Sequence, residues 1–234
     1  MNPSEASIVI TGTSRGIGLQ LTNTLLERGW WIFGCSRGPS EVRHERYRHF
    51  EIDVADEKGV CHLFGEVRKS GKPLYAVLNN AGTASMNHVL TTPFETMKKL
   101  FEVNVFGTML CSREGAKQMV LRKNGRIINF GSVAVPYSLE GEAVYTASKS
   151  AVEAYTKVLA REMGEHGVTA NAVSPNPVKT DLIAGVPQDK MQRLINRQSI
   201  KRYGEYEDVL RCVDFLLDPA NTFITGQVIY LGGP

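Results

Sequence analysis

The sequence predicts an α/β fold, a doubly wound parallel sheet with helices on both faces. Short apolar runs alternate with helix-length amphipathic segments along nearly the whole chain. The runs are apolar at successive positions rather than at every second one, as strands buried on both faces require. A glycine-rich turn stands between the first run and the first helix. No composition shift, long linker or repeat divides the 234 residues, so a single domain is expected over 1–234.

The elements follow in order. Ser7–Thr11 is a β-branched run, and Ile17, Leu21 and Leu25 give one apolar face to a helix from Gly16 to Arg28, which Gly29 stops. Trp30–Cys35 reads as the second strand, and Ser36–Arg48, polar and holding Gly38-Pro39, as a loop. Further strands are expected at Phe50–Val54, Tyr75–Asn79, Arg126–Phe130, Val168–Val173 and Gln227–Tyr230. Helices are expected at Asp56–Lys69, Phe94–Arg122, Ala143–Met163 and Glu205–Leu217.

Composition removes several classes of function. Apolar residues make up 42% of the chain, enough for a sizeable core. The net charge of +3 is small and dispersed, which argues against nucleic acid or an anionic membrane as partner. No apolar run is long enough to span a bilayer, and the N-terminal residues lack the basic and apolar segments of a secretory signal, so a cytoplasmic protein is expected. Cys35, Cys61, Cys111 and Cys212 form no Cys-x-x-Cys pair, and the five histidines lack ligand spacing, so neither a metal site nor a disulfide framework is expected.

The first turn, Thr11-Gly12-Thr13-Ser14-Arg15-Gly16-Ile17-Gly18, carries the first functional signal. Its glycines allow backbone N–H groups to approach a pyrophosphate at a helix N-terminus, where the helix dipole favours an anion. The spacing G-x-x-x-G-x-G differs from the common G-x-G-x-x-G, but the place between strand one and helix one is the one a nucleotide site needs. Ser36-Arg37 ends the second strand, where a carboxylate would hold the ribose of NAD; Arg37 and Arg15 would instead pair with the 2′-phosphate of NADP. Asp53-Val54 closes the third strand, and Asp53 would accept from an adenine amino group. Asn80, Ala81 and Gly82 follow the fourth strand, where small residues let the backbone lie close to a cofactor.

A second signal lies between Gly131 and Lys149. Ser132 ends the fifth strand, Tyr145 opens a helix, and Lys149 follows four residues later on the same helix face. A phenol beside an ammonium is suited to give a proton to a carbonyl oxygen or take one from an alcohol, and Ser132 would hold the same oxygen. Tyr-x-x-x-Lys alone is a chance pairing on any helix; its weight comes from the company of the glycine-rich turn and Ser132.

Taken together, Thr11-Gly12-x-x-x-Gly16-Ile17-Gly18, Asp53, Asn79-Asn80-Ala81-Gly82, Asn104, Gly131-Ser132 and Tyr145-x-x-x-Lys149 make the chain resemble the short-chain dehydrogenase/reductase family over essentially its whole length. The resemblance implies a Rossmann-like sheet of seven parallel strands, an NAD or NADP cofactor and a homodimer or homotetramer. It implies Tyr145 as acid/base, Lys149 on the nicotinamide ribose and lowering the Tyr145 pKa, Ser132 on the substrate oxygen, and Asn104 holding a water in a proton relay. A structural asparagine at a helix kink is the alternative for Asn104. Pro175, Asn176, Val178 and Thr180 match the segment that faces the nicotinamide, with one departure: Asn176 stands where relatives carry glycine. Asparagine tolerates a left-handed backbone, so the turn is expected to survive, with a side chain added near the nicotinamide and Pro177 stiffening the next step.

The resemblance also makes 181–203 a substrate lid. Lys190, Arg193, Arg197, Lys201 and Arg202 there suit an anionic substrate such as a thioester of phosphopantetheine or coenzyme A; a solvated amphipathic helix explains the same residues equally well. Val133–Glu142 adds apolar wall. Similarity is strongest to bacterial 3-oxoacyl-acyl-carrier-protein reductases, and Lys123 and His166 fall at positions where those enzymes dock the carrier protein. The expected function is an NADP(H)-dependent ketone reductase or alcohol dehydrogenase, NADP(H) being preferred over NAD(H). The alternative is an NADP-binding sensor or scaffold without turnover. The apolar residues of the two long helices predict a dimer, and the short tail after Leu231 makes a tetramer the weaker expectation.

Overall fold

A computed structural model describes residues 3–180, 183 and 185–234. Seven strands form one sheet: β1 Ser7–Thr11, β2 Trp31–Ser36, β3 Tyr47–Glu51, β4 Leu74–Asn79, β5 Gly125–Phe130, β6 Val168–Ser174 and β7 Val228–Tyr230. Their spatial order is β3-β2-β1-β4-β5-β6-β7, and every pairing is parallel. The order reverses between β1 and β4, so the crevice at their carboxyl ends is where such a sheet receives a ligand.

Among the described residues there are eight α-helices: α1 Gly16–Glu27, α2 Glu57–Lys69, α3 Phe94–Phe101, α4 Gly107–Met119, α5 Ala134–Tyr137, α6 Ala143–Met163, α7 Gln188–Arg197 and α8 Tyr206–Leu217. Alternate strand residues feed two cores. Val9, Val77 and Ile127 meet Leu63 and Phe64 of α2, Cys111 and Met119 of α4, and Leu159 of α6. Ile8, Ile10, Leu78 and Ile128 meet Leu21 and Leu25 of α1 and Val213 and Leu216 of α8. Both strand faces are buried, which is why the strands read as continuous apolar runs. A third, small cluster joins Leu100 of α3, Ala134 of α5 and Tyr145 of α6, and it sits at the site described below.

Two sequence expectations about the elements need correction. The third strand lies at Tyr47–Glu51, three residues before the expected Phe50–Val54, with Ile32 against Tyr47 and Ser36 against Glu51. It is the sheet edge, and its exposed Arg48 and Glu51 hide it from a search for apolar runs. Asp53 and Val54 therefore follow the strand instead of ending it. The helix expected over Phe94–Arg122 is interrupted: α3 passes into a π-helical segment, Glu102–Phe106, before α4, and the run closes with a 3₁₀ turn at Val120–Arg122. The stretch expected as pocket wall at Val133–Glu142 does line a cleft, and it contains α5.

Arg126 of β5 is buried at the other end of the sheet. Its Nη1 donates to the Gly125 carbonyl at 3.0 Å and Nη2 to the Asp218 and Pro219 carbonyls at 3.3 and 3.2 Å. The guanidinium lies 5.5 Å from the Tyr75 ring centroid, and Tyr75 itself donates to the Leu217 carbonyl at 2.6 Å. The cation thus caps the carboxyl end of α8, where the helix dipole is negative. Among the described residues no helix is long and apolar enough to cross a membrane.

Candidate active site

The glycine-rich turn leaves β1 at Thr11 and enters α1 at Gly16. Gly12 has φ +76°, and a Cβ there would lie 2.9 Å from Asn80 Nδ2 and 3.0 Å from Ala81 Cα, so only glycine fits. Asn80 Nδ2 donates to the Thr11 carbonyl at 2.9 Å, and the Ala81 N–H donates to the Thr11 hydroxyl at 2.9 Å, tying the ends of β1 and β4 together. Arg15, the N-cap of α1, gives no side-chain bond to the helix, which leaves its first N–H groups for an anion. Gly18 has a different job: a Cβ would meet the Gly12 carbonyl oxygen at 2.2 Å, so it permits close packing of helix on turn and does not line the cleft.

A cleft of about 430 Å³ opens over this turn. Gly12, Ser14, Arg15, Gly16 and Ile17 form one wall, Ser36 and Arg37 the second, and Asp53, Val54, Asn80, Ala81 and Gly82 the third, with Thr180 at the rim. The structure therefore gathers the sequence-predicted cofactor residues of the first four strands, Gly18 excepted. Asp53 already accepts the Ala55 N–H at 3.0 Å on one oxygen. Arg37 is exposed and forms no ion pair among the described residues. The sequence reading passed over Ile52, Thr83, Lys99 and Val103, which also line this cleft and have no motif to mark them.

It also passed over a polar chain beneath it. The Thr13 hydroxyl is 2.9 Å from the Tyr47 hydroxyl, Tyr47 is 2.9 Å from His49 Nδ1, and His49 Nε2 is 2.9 Å from the Gly38 carbonyl and 3.2 Å from the Ser36 hydroxyl. Gly34 makes the room, since a Cβ there would lie 2.5 Å from the Tyr47 hydroxyl. Alternation of Tyr47 and His49 on the edge strand was the available signal.

A second cleft, about 670 Å³, continues from the first past Ile17, Asn80, Gly82, Thr83 and Thr180. Ser132 from the end of β5 and Tyr145 and Lys149 from the first turns of α6 share its floor. Ser132 stands near enough to the Tyr145 phenol to favour its ionised form, and its Oγ accepts the Ala134 N–H at 3.1 Å. Lys149 Nζ donates to the Phe130 carbonyl at 2.8 Å and stands 6.0 Å from the Tyr145 ring centroid. Burial pushes the Tyr145 phenol up to about 12, with the nearby Glu142 adding to it and the Ser132 hydroxyl opposing. The expected lowering by Lys149 is not found, because loss of solvent around the phenolate outweighs an ammonium turned to another acceptor. Burial pushes Lys149 down to about 8, with Glu153 opposing.

Asn104 lies behind the floor, fully buried in the π-helical segment. Its Oδ1 accepts the Thr83 N–H at 2.8 Å, and its Nδ2 donates to the Thr83 carbonyl at 2.9 Å and the Ser148 hydroxyl at 3.0 Å. Asn104 thus sits in the π-helical break, but its side chain bonds Thr83 and Ser148 and not the backbone of the break, and it fixes the chain just after Gly82. A Cβ on Gly82 would stand 3.4 Å from Asn104 Oδ1 and 3.5 Å from Lys149 Nζ, so this glycine keeps the approach to Lys149 open.

Pro175, Asn176, Val178 and Thr180 line the far wall. Asn176 does not adopt the left-handed conformation expected of a glycine substitute; among the described non-glycine residues only Lys123 and Ser138 do. It is buried, and its amide nitrogen donates to the Leu231 carbonyl, so the side chain folds back onto the C-terminal segment. Of the expected lid, residues 183 and 185–203 are described, with α7 among them, and Asp181 lies outside the described residues. Lys190, Arg193 and Arg197 of α7 face the cleft, with Glu140 and Glu142 on the same lining. Arg197 also donates to the Tyr137 carbonyl at 3.0 Å, and Tyr137 donates to the Gly233 carbonyl at 3.1 Å. Among the described residues no cluster of metal-ligating side chains occurs.

Such a parallel sheet, with a glycine-rich anion turn running into a Ser-Tyr-Lys cleft, defines a nicotinamide-dependent oxidoreductase. The comparisons agree. A family model described as Enoyl-(Acyl carrier protein) reductase matches residues 12–233. A short-chain type dehydrogenase/reductase of Picea abies is 33% identical, over 96% of this chain and 90% of its own. The 3-oxoacyl-[acyl-carrier-protein] reductase FabG of Staphylococcus aureus is 29% identical, over 97% of this chain and 96% of its own. The solved structure of ElxO with NADP bound superposes with a TM-score of 0.88 at 26% identity, covering 97% of each chain. The chain belongs to the short-chain dehydrogenase/reductase family and resembles its 3-oxoacyl reductases.

Proposed function

We propose that the chain reduces a ketone to a secondary alcohol, or runs the reverse reaction, with NADP(H) preferred over NAD(H). One observation carries this reading: Ser132, Tyr145 and Lys149 share a cleft that is continuous with the glycine-rich turn. The turn fits the cofactor, because the glycine at 12 and the uncapped start of α1 leave a cradle for its pyrophosphate. The cofactor supplies the hydride. Arg37 and Arg15 would pair with a 2′-phosphate, Asp53 and Val54 would hold the adenine, and Val178 and Thr180, with Pro175 and Asn176, would hold the nicotinamide. Lys149 would bind its ribose. Ser132 holds the substrate oxygen, and Tyr145, kept protonated by its burial, gives that oxygen a proton. Asn104 orders the backbone at Thr83 and supports a water relay behind Lys149.

The substrate side is apolar wall with a basic rim on α7, which suits an acyl thioester or another ketone carrying an anionic tail. Lys123 and His166 immediately precede β5 and β6, at the sheet end away from the cleft. A carrier protein docked there serves this site only if a second copy of the chain presents its cleft nearby. Phe106 and Val158, 52% and 54% exposed on the α4–α6 face, support a homodimer, and sedimentation as a monomer alone at micromolar concentration contradicts it. The four free cysteines fit a reducing cytoplasm.

The test is NADPH oxidation over a panel of 3-oxoacyl thioesters and small ketones. Turnover that depends on Tyr145 supports the reading. Tight NADPH binding with no turnover on any of them replaces it with the sensor reading.

A further inference from the structure

Glu153 is a buried acid, 6% exposed, on α6 one turn beyond Lys149 and two beyond Tyr145. Its Oε2 accepts the Tyr230 hydroxyl at 2.7 Å and its Oε1 the Ser174 hydroxyl at 3.3 Å. Ser174 and Tyr230 are register partners at the ends of β6 and β7, so three elements converge on one carboxylate. That carboxylate lies directly under Gly131: a Cβ there would meet Ser174 Oγ at 2.2 Å and Glu153 Oε1 at 3.1 Å. The preceding carbonyl, Phe130, is the acceptor for Lys149 Nζ. A single peptide step, Phe130–Gly131, therefore has the ammonium at its oxygen and the carboxylate at its α-carbon, and Ser132 is the next residue.

We propose that Glu153 is a positioning residue for the reaction, its carboxylate serving as the counter-charge of Lys149 and as the floor beneath the Gly131–Ser132 step. The inference rests on the reductase reading of the same cleft. A role in packing alone would not call for a charge, since burying a carboxylate is costly and an amide or an apolar side chain fills the same space. Burial indeed raises the Glu153 carboxyl, while the Tyr230 and Ser174 hydroxyls and the ammonium groups of Lys157 and Lys149 oppose it. Lys149 is faced by the Phe130 carbonyl from β5, by Tyr145 and Glu153 from its own helix, and by Asn104 Oδ1 across Gly82. Glu153 is the one formal negative charge in that set. It opposes the burial that lowers Lys149. Without it Lys149 loses its proton at lower pH, and the step that needs an ammonium fails earlier as the solution becomes alkaline.

The test is the pH profile of NADPH-dependent ketone reduction for wild type, Glu153→Gln and Glu153→Asp. Gln keeps the shape and the acceptor for Tyr230 but removes the charge. Its alkaline limb is expected about one pH unit below that of wild type, so that kcat is reduced about tenfold near pH 8.5 and about twofold or less near pH 6. Asp restores the charge on a shorter arm, so its limb stays with wild type while kcat is lowered evenly across pH. Tyr230→Phe, which keeps the charge, leaves the alkaline limb in place. A Gln profile parallel to wild type overturns the inference and leaves the reductase reading intact. If Gln does not fold by circular dichroism, a downward move of the Asp limb overturns it equally. Wild type without turnover removes the reading and this inference together.

Discussion

The Lys149 ammonium is bonded to the Phe130 carbonyl at 2.8 Å and stands 6.0 Å from the centre of the Tyr145 ring. Helix α6 therefore presents two groups to one cleft with their jobs separated: a cation anchored to the end of β5 and a buried phenol beside Ser132. The phenol is held well above neutrality by burial, which suits a proton donor more than a base at pH 7. Several outcomes can be measured against this arrangement.

Tyr145→Phe removes the donated proton and leaves the ring. Loss of a positioned general acid commonly costs about 10²–10⁴-fold in rate, so kcat should fall within that range while the Kd for NADPH changes less than about threefold. Stopped-flow turnover and fluorescence titration check the two halves separately. Wild-type rates in the variant would remove Tyr145 from the chemistry.

Wild type should prefer NADPH over NADH about tenfold, and Arg37→Ala should remove most of that preference, Arg15→Ala less. A charge-assisted bond to phosphate contributes about 1.5–3 kcal/mol before ordering costs, and half of the lower value from each of the two arginines together corresponds to roughly tenfold. Titrating both cofactors into wild type and the two variants decides it. Equal NADH and NADPH affinity in wild type would make both arginines solvated loop residues.

Reduction should decline above about pH 8, where Lys149 loses its proton. Unfolding does not cause that decline. In the unfolded chain lysine keeps its proton up to its ordinary value of 10.5, so between about 8 and 10.5 the unfolded state binds more protons and this group makes stability rise with pH. Activity and thermal melts recorded in the same buffers separate the two effects; parallel losses would contradict the assignment.

Arg126→Ala should destabilise by about 3 kcal/mol, since it opens a cavity and frees the carbonyls at the end of α8, and lower Tm by roughly 6–12 °C. Arg126→Met fills most of the volume and removes a charge that is expensive to bury, so about half of that loss is expected. Neither should alter the affinity for NADPH, because Arg126 faces the opposite end of the sheet. Calorimetry and cofactor titration check both claims.

Asp208 should matter at low pH. Two bonds from Arg202, at 2.7 and 2.9 Å, and one from the Glu205 N–H hold its carboxyl down at about 2. Because the folded value is depressed from 3.8, the stabilisation is complete above the unfolded value and is lost as pH falls from about 4 toward 2. Discounted for solvent screening it amounts to about 1 kcal/mol, and Asp208→Asn should flatten the acid limb of Tm against pH by that amount.

The five inner strands and the long helix α6 were legible because a parallel sheet buries both strand faces and leaves continuous apolar runs. The edge strand was misplaced because Tyr47 and His49 spend their polar ends on Thr13 and Gly38, a partnership fixed by sheet register and not by local pattern. Tyr145 and Lys149 were legible through a four-residue spacing that any helix turns into a shared face. The direction of the Tyr145 shift was not, since it depends on how deeply α5 and α3 cover the phenol. Asn176 stood out in the sequence as a departure, but its bond to Leu231 joins residues 55 positions apart and leaves no trace in either segment.

That bond belongs to a seam with an order in time. Residues 231–233 take a hydrogen bond from Asn176 at Leu231, from Tyr137 at Gly233, and from the Ser199 and Ile200 N–H groups just beyond α7 at Gly233 and Gly232. Every partner precedes them in the chain. During synthesis, which exposes the N-terminal residues first, the cofactor turn and the Ser-Tyr-Lys floor can assemble while the substrate end still lacks its fastening. A nascent chain stalled before Leu231 is thus expected to capture cofactor before it can close over a substrate.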